Sequence, residues 1–226
     1  MSTYSGVYRS ATQINEAMGR VYGYMGLAVV VSMLVSMFIG TNQALVTFFF
    51  TGIMHWVVLF APLIAVFLLV PFLNANPPKE LALLALGGFA GLMGLSFAVI
   101  FAVYTAMSIF NAFMGAAVLF GVMSFYGYFT KRSLDSLGKW MFVGLIAIII
   151  ASIINIFVGS TVTQMVISAL AIIIFLGLTA YDTQQIREMV SVESNPSAEV
   201  MGALTLYLDF INIFLSLLQL FGGKKE

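Results

Sequence analysis

Seven stretches of about 20 mostly apolar residues decide what this chain can fold into, because that length of helix crosses the hydrocarbon core of a bilayer. They run roughly Val21–Gly40, Ile53–Phe72, Leu81–Tyr104, Ser108–Phe129, Trp140–Val158, Gln164–Tyr181 and Gly202–Phe221. The breaks fall at turn-forming or charged sequence: Gly40-Thr41-Asn42, Asn74–Pro78, Lys131–Lys139, Gly159–Thr161, and Ser191–Ser197 with Pro196. The expectation is an all-α polytopic membrane protein. Residues 1–20 would form a cytoplasmic tail, 21–221 a seven-helix transmembrane domain and 222–226 a short C-terminal tail. No loop is long enough to fold as a soluble domain.

Composition agrees with this and excludes several chemistries. The chain is 62% hydrophobic and only 8% charged, where soluble domains run near a quarter charged. Its formal net charge is zero, and no basic stripe marks it for nucleic acid. It has no cysteine, so disulfides, thiolate metal sites and a cysteine nucleophile are excluded. A single histidine, His55, excludes a multi-histidine metal site. The many Phe and Met residues read as lipid-facing or core, and no cofactor is expected. The polar first 20 residues lack the pattern of a cleaved signal peptide.

Orientation follows the basic residues. With the N-terminus inside, Arg9, Arg20, Lys79, Lys131, Arg132, Lys139 and Arg187 are all inner, seven of the nine Lys and Arg. Lys224 and Lys225 conflict with this if the last helix crosses completely. Crossing is the preferred reading, with re-entry the alternative. Four glycines in the third span, Gly87, Gly88, Gly91 and Gly94, suggest close helix packing. Pro62 and Pro71 are candidates to kink the second span. His55 beside Trp56 reads as an interfacial pair at the outer end of that span.

Two carboxylates stand out, Asp182 and Asp209, read as the only acidic side chains at membrane depth. An Asp at the centre of a membrane helix costs about 2.5–3.5 kcal/mol, so each needs a partner or water. They lie 27 positions apart (209 − 182), and the midpoint falls between Asn195 and Pro196, in the polar loop. A helical hairpin folded there brings both to one depth, on the inner side. On the last helix Gly202, Thr205, Asp209, Asn212, Ser216 and Gln219 step by 3, 4, 3, 4, 3 and form one small or polar stripe. Such a stripe either lines a wet path or joins helices by hydrogen bonds. Thr179 lies one turn from Asp182 on the same face, and Tyr181 and Tyr207 are candidate donors to the carboxylates. Two carboxyls held together in a low dielectric titrate as a unit, with one pKa raised. The same oxygens, with water, can ligate calcium weakly and transiently, as permeation requires.

These residues resemble the C-terminal signature of the Bax inhibitor-1 family, the transmembrane Bax-inhibitor-motif proteins. The match is Tyr181-Asp182 with Gln185-Ile186, then Leu206-Tyr207-Leu208-Asp209-Phe210-Ile211-Asn212 with Phe214 and Leu217-Leu218. Tyr126-Gly127 before Thr130-Lys131-Arg132 resembles the bacterial branch. The resemblance implies a seven-helix bundle with the last helix central and a pH-sensitive calcium leak. It maps a di-aspartyl pH sensor onto Asp182 and Asp209. It favours opening by acid, although the residues alone leave the sign open. It also implies residence in a bacterial inner membrane and, for some relatives, modulation of a membrane-bound AAA protease. Some members carry an arginine near the end of the last helix, where this chain has Gln219.

Three other readings compete with a channel. A non-conducting regulator of a membrane protease or stress response is compatible with every residue. An intramembrane aspartyl protease would share Tyr181-Asp182 but needs Gly-x-Gly-Asp, whereas Asp209 follows Tyr207-Leu208. A proton-coupled transporter would usually show inverted repeats, and none is found. An enzyme is not expected.

Overall fold

The computed structural model describes residues 9–192 and 195–225. Among these are eight helices: α1 (Ala11–Gly40), α2 (Gln43–Phe50), α3 (Gly52–Asn74), α4 (Lys79–Val103), α5 (Ala106–Phe129), α6 (Asp135–Val158), α7 (Thr161–Val192) and α8 (Pro196–Phe221). All but α2 are long and apolar enough to cross a membrane, which gives the seven spans expected. The chain is an all-α integral membrane protein.

The helix ends have local causes. Ser10 and Gln13 close a capping box, Ser10 Oγ accepting from the Gln13 N–H (3.3 Å) and Gln13 Oε1 from the Ser10 N–H (2.9 Å). Two orphan donors are thereby satisfied, and α1 starts ten residues before Val21. Residues 11–20 are therefore helical. Helix α7 runs eleven residues past Tyr181, since Asp182–Val192 contains no glycine or proline. Helix α8 begins with Pro196 at its first position, where the missing N–H is no loss. The short α2 was not expected; Asn42 caps it, Oδ1 accepting from the Ala44 and Leu45 N–H groups. Pro62 and Pro71 both lie inside α3, which continues through them. At the α6–α7 turn, Gly159 takes the left-handed conformation (φ +67°) that closes a helix without a Cβ penalty.

The helices form two compact units. One comprises the chain up to Ala102 with Gln185–Tyr207; the other comprises Val103–Gln184 with Leu208–Glu226. Helix α8 contributes core to each. In the first, Leu204, Leu206 and Tyr207 are almost fully buried; in the second, Ile213 and Leu218 are. Over its most apolar 18 residues α8 is 67% buried, against 11–39% for the other six spans, which matches the expected central last helix.

Small residues set the closest approaches. In the first unit a Cβ on Gly94 would meet the Ser32 backbone, and one on Gly40 the Ala98 carbonyl. Gly87, Gly88 and Gly91 have no such neighbour within 4 Å, so only one of the four glycines singled out makes a tight contact. In the second unit Gly127 lies against the Ala180 backbone and Gly138 against the Tyr181 ring.

The C-terminal tail bears on the conflict over its lysines. Gly223 accepts from the Thr105 N–H (3.1 Å), and the Lys225 N–H donates to Val103 (2.9 Å). Tyr104 and Lys224 pair as a short antiparallel bridge. The tail thus joins the α4–α5 turn, at the opposite end of α5 from the 130–134 turn, the arrangement a fully crossing α8 requires. The chain lacks cysteine, so single cysteines can report this directly. In sealed vesicles, Lys224→Cys and Arg132→Cys are expected to label from opposite sides with an impermeant maleimide. Gly127→Leu is expected to destabilise the protein by about 1–3 kcal/mol, read by thermal denaturation in detergent.

Candidate functional site

The second unit holds both expected carboxylates. Asp182 comes from α7 and Asp209 from α8, and their side chains hydrogen-bond to each other. Asp209 is 4% exposed, and Asp182 is partly buried. The hairpin geometry read from the 27-residue spacing is therefore realised: α7 ends and α8 begins on either side of the turn, with the two carboxyls at one level. A hydrogen bond between two carboxyls requires a proton between them. Asp209 Oδ2 has no hydrogen-bond partner among the described residues.

The residues around Asp182 are held from several sides. Ala180 backs onto Gly127, and the Tyr181 ring covers Gly138. Thr183 Oγ1 bonds Ser124 Oγ on α5 at 3.0 Å, both buried. Gln184, 6% exposed, accepts from the Leu134 N–H (2.8 Å) and donates to the Arg132 carbonyl (3.0 Å). Neither Thr183 nor Gln184 was singled out in the sequence. The available signal was a run of four polar residues, Asp182-Thr183-Gln184-Gln185, of which the charged one drew notice.

The supporting stripe is less uniform than its spacing suggested. Thr179 is fully buried and bonds the Phe175 carbonyl one turn back (2.7 Å). Thr205 and Asn212 also turn onto their own helix, bonding the Met201 and Leu208 carbonyls. Ser216 is buried at 8% exposure. Gln219 joins helices instead, its Oε1 accepting from Gln164 Nε2 (2.9 Å) and Ser168 Oγ (3.0 Å). Tyr207 corrects an expectation. It lies in the first unit, its hydroxyl bonded to Ser32 Oγ at 2.6 Å and its ring edge-on to Phe89, so its partner is a serine and not a carboxylate.

A third buried carboxylate lies near the start of the last helix. Glu199 sits in the first turn of α8, is 4% exposed and lies within the spanning helix. Arg20 grips it with two bonds, Nε to Oε2 at 2.7 Å and an Nη to Oε1 at 2.6 Å. Arg9 stands 3.7 Å away and also ties the chain to the end of α7 through Val190 and Ser191. Starting the last span at Gly202 had left Glu199 in the loop.

Among the described residues, no group of three or more His, Cys, Asp or Glu could hold a metal ion. A cation at the pair would meet two carboxyls and otherwise water, far short of the six to eight oxygens of a tight calcium site.

A family model described as "Inhibitor of apoptosis-promoting Bax1" matches residues 14–226. The chain belongs to the Bax inhibitor-1 family. It is 34% identical over 214 residues to inner membrane protein YbhL of Escherichia coli K12, covering 92% of each chain. It is 35% identical over 218 residues to an uncharacterised protein of Rickettsia prowazekii, covering 94% of this chain and 92% of that one. A further uncharacterised protein, from Deinococcus radiodurans, is 32% identical over 226 residues, covering 96% and 94%. Membership in the Bax inhibitor-1 family thus extends over nearly the whole chain, well beyond the C-terminal signature.

The third carboxylate gives a stability prediction. Arg20→Ala leaves Glu199 buried with only Arg9, at 3.7 Å, facing it. Breaking a buried pair costs about 3–5 kcal/mol. The Arg20 side chain is 40% exposed, and solvent screening lowers the expected loss to about 2 kcal/mol. Thermal unfolding in detergent checks it, with Arg20→Lys expected to recover part of the loss.

Proposed function

We propose that this protein is a pH-sensitive calcium leak of a bacterial inner membrane, controlled by the proton shared between Asp182 and Asp209. The observation that carries the reading is their mutual hydrogen bond, with Asp209 4% exposed inside an apolar helix. A carboxyl pair at membrane depth costs stability, and a purely structural contact would use uncharged groups. With one proton the pair attracts; with none, two like charges repel across a low dielectric. Protonation therefore changes the contact between α7 and α8. Two carboxyls with water hold calcium weakly, which suits passage better than storage. The Escherichia coli relative is an inner membrane protein, which supports that compartment here. An inner, cytoplasmic N-terminus remains the orientation favoured by the basic residues.

The test is calcium flux in proteoliposomes from about pH 5 to about pH 8, where a coupled carboxyl pair can change its proton. Wild-type flux is expected to vary with pH, and Asp209→Asn to conduct with a flat profile. Retention of the wild-type profile in that variant sinks the sensor. A protein that carries no calcium at any pH but co-purifies with a membrane-bound protease would turn the reading to a non-conducting regulator.

A further inference from the structure

We propose that Gln184 is a positioning residue for the Asp182–Asp209 contact, setting the approach of the two carboxyls by tying α7 to the 130–134 turn. This rests on reading the pair as the pH-sensing element. Three consecutive side chains leave a helix about 100° apart, so they reach three different neighbours. Asp182 meets Asp209 on α8, Thr183 meets Ser124 on α5, and Gln184 meets the main chain of the α5–α6 turn. Helix α7 is thereby held from three directions at the level of the carboxyl.

Gln184 is the unusual member of this set. It is 6% exposed and uses both ends of its amide on backbone groups two residues apart, the Arg132 carbonyl and the Leu134 N–H. Leu134 is the N-cap of α6, and its own side chain can make no capping bond. Two bonds from one rigid amide fix rotation as well as depth, where a single hydroxyl bond such as that of Thr183 fixes less. The alignment of the pair depends on how firmly α7 is placed.

The charged groups on the elements around the pair are Lys131, Arg132, Asp135 and Lys139 on the turn and the start of α6. Arg187 and Glu188 lie further along α7, Glu199 lies near the start of α8, and Lys224 and Lys225 are in the tail; α5 carries none. Gln184→Leu changes none of these charges. A shift in the pair's titration in that variant therefore reports geometry.

The experiment follows the protonated-carboxyl C=O band by infrared titration of the full chain in lipid, the band being assigned by its loss in Asp182→Asn and Asp209→Asn. Releasing α7 lets water between the carboxyls and weakens the shared proton. The midpoint in Gln184→Leu is expected to move to lower pH by about half a unit or more. Gln184→Asn, one methylene shorter, is expected to move it in the same direction and serves if the leucine variant does not fold. Asn155→Leu is the control. Asn155 is a comparably buried amide in the same unit, bonded to Gln164 and the Ser160 N–H, and its loss is expected to leave the midpoint in place. Superimposable titrations for wild type and the Gln184 variants would overturn the proposal, as would an equal shift in Asn155→Leu. Because the readout is the carboxyl band and not flux, a shift in a protein that conducts no calcium would retain the positioning role while removing the channel.

Discussion

A hydrogen bond between two carboxyls exists only while a proton is shared, and the contact between Asp182 and Asp209 is of this kind. Other side-chain polar contacts within the membrane-spanning helices include two sorts. Hydroxyls and amides close back onto their own helix or meet one another, as Thr179, Asn212 and the Ser124–Thr183 pair do. Glutamate meets arginine, as Glu199 does with Arg20. Neither sort requires a proton to be gained or lost near neutral pH. On the proposed reading, the aspartyl contact is where the chemistry of the medium enters the packing of the helices.

That contact can be maintained only if the helices bearing it are placed with side-chain accuracy. In the second unit this is done with main chain and small residues. Gly127 admits the Ala180 backbone, Gly138 admits the Tyr181 ring, and Gln184 reaches the turn backbone at two points. Backbone contacts of this type have few alternative arrangements, because a helix backbone cannot change rotamer. Long apolar side chains fill the remaining space and can adjust. Rigidity is thus concentrated within one turn of Asp182, while the lipid-facing surfaces of α5 and α6 stay largely exposed apolar side chain.

The seven spans were legible because hydrocarbon thickness imposes a length and an apolar composition that persist in sequence. The pairing of Asp182 with Asp209 was legible because a hairpin converts equal spacing from its turn into equal depth. The signature residues around them were enough to suggest the family. Helix ends were less legible. Apolarity marks where lipid starts, whereas Ser10 and Pro196 mark where hydrogen bonding starts, and the two differ by several residues at α1 and α8. Glu199 was hidden by that difference. Tyr207 was misassigned because proximity in sequence to Asp209 says little about direction: two residues along a helix is a rotation of about 200°. Gln184 was hidden for another reason, since its partners are backbone groups some 50 residues away that leave no trace in composition.

Glu199 and Asp209 lie ten residues apart on one helix, equally exposed at 4%, and their comparison bears on function. Both are buried carboxyls, yet Glu199 is met by a bidentate guanidinium that is charged at any physiological pH. Asp209 is met by another acid. If burial alone had selected these side chains, an arginine would have served both positions, since Arg9 and Arg20 show that one can reach α8. A second carboxyl facing Asp209 forgoes a charge-compensated bond, and on the proposed function it gives one that responds to protons. The loss in stability is consistent with a contact retained for its response to protons.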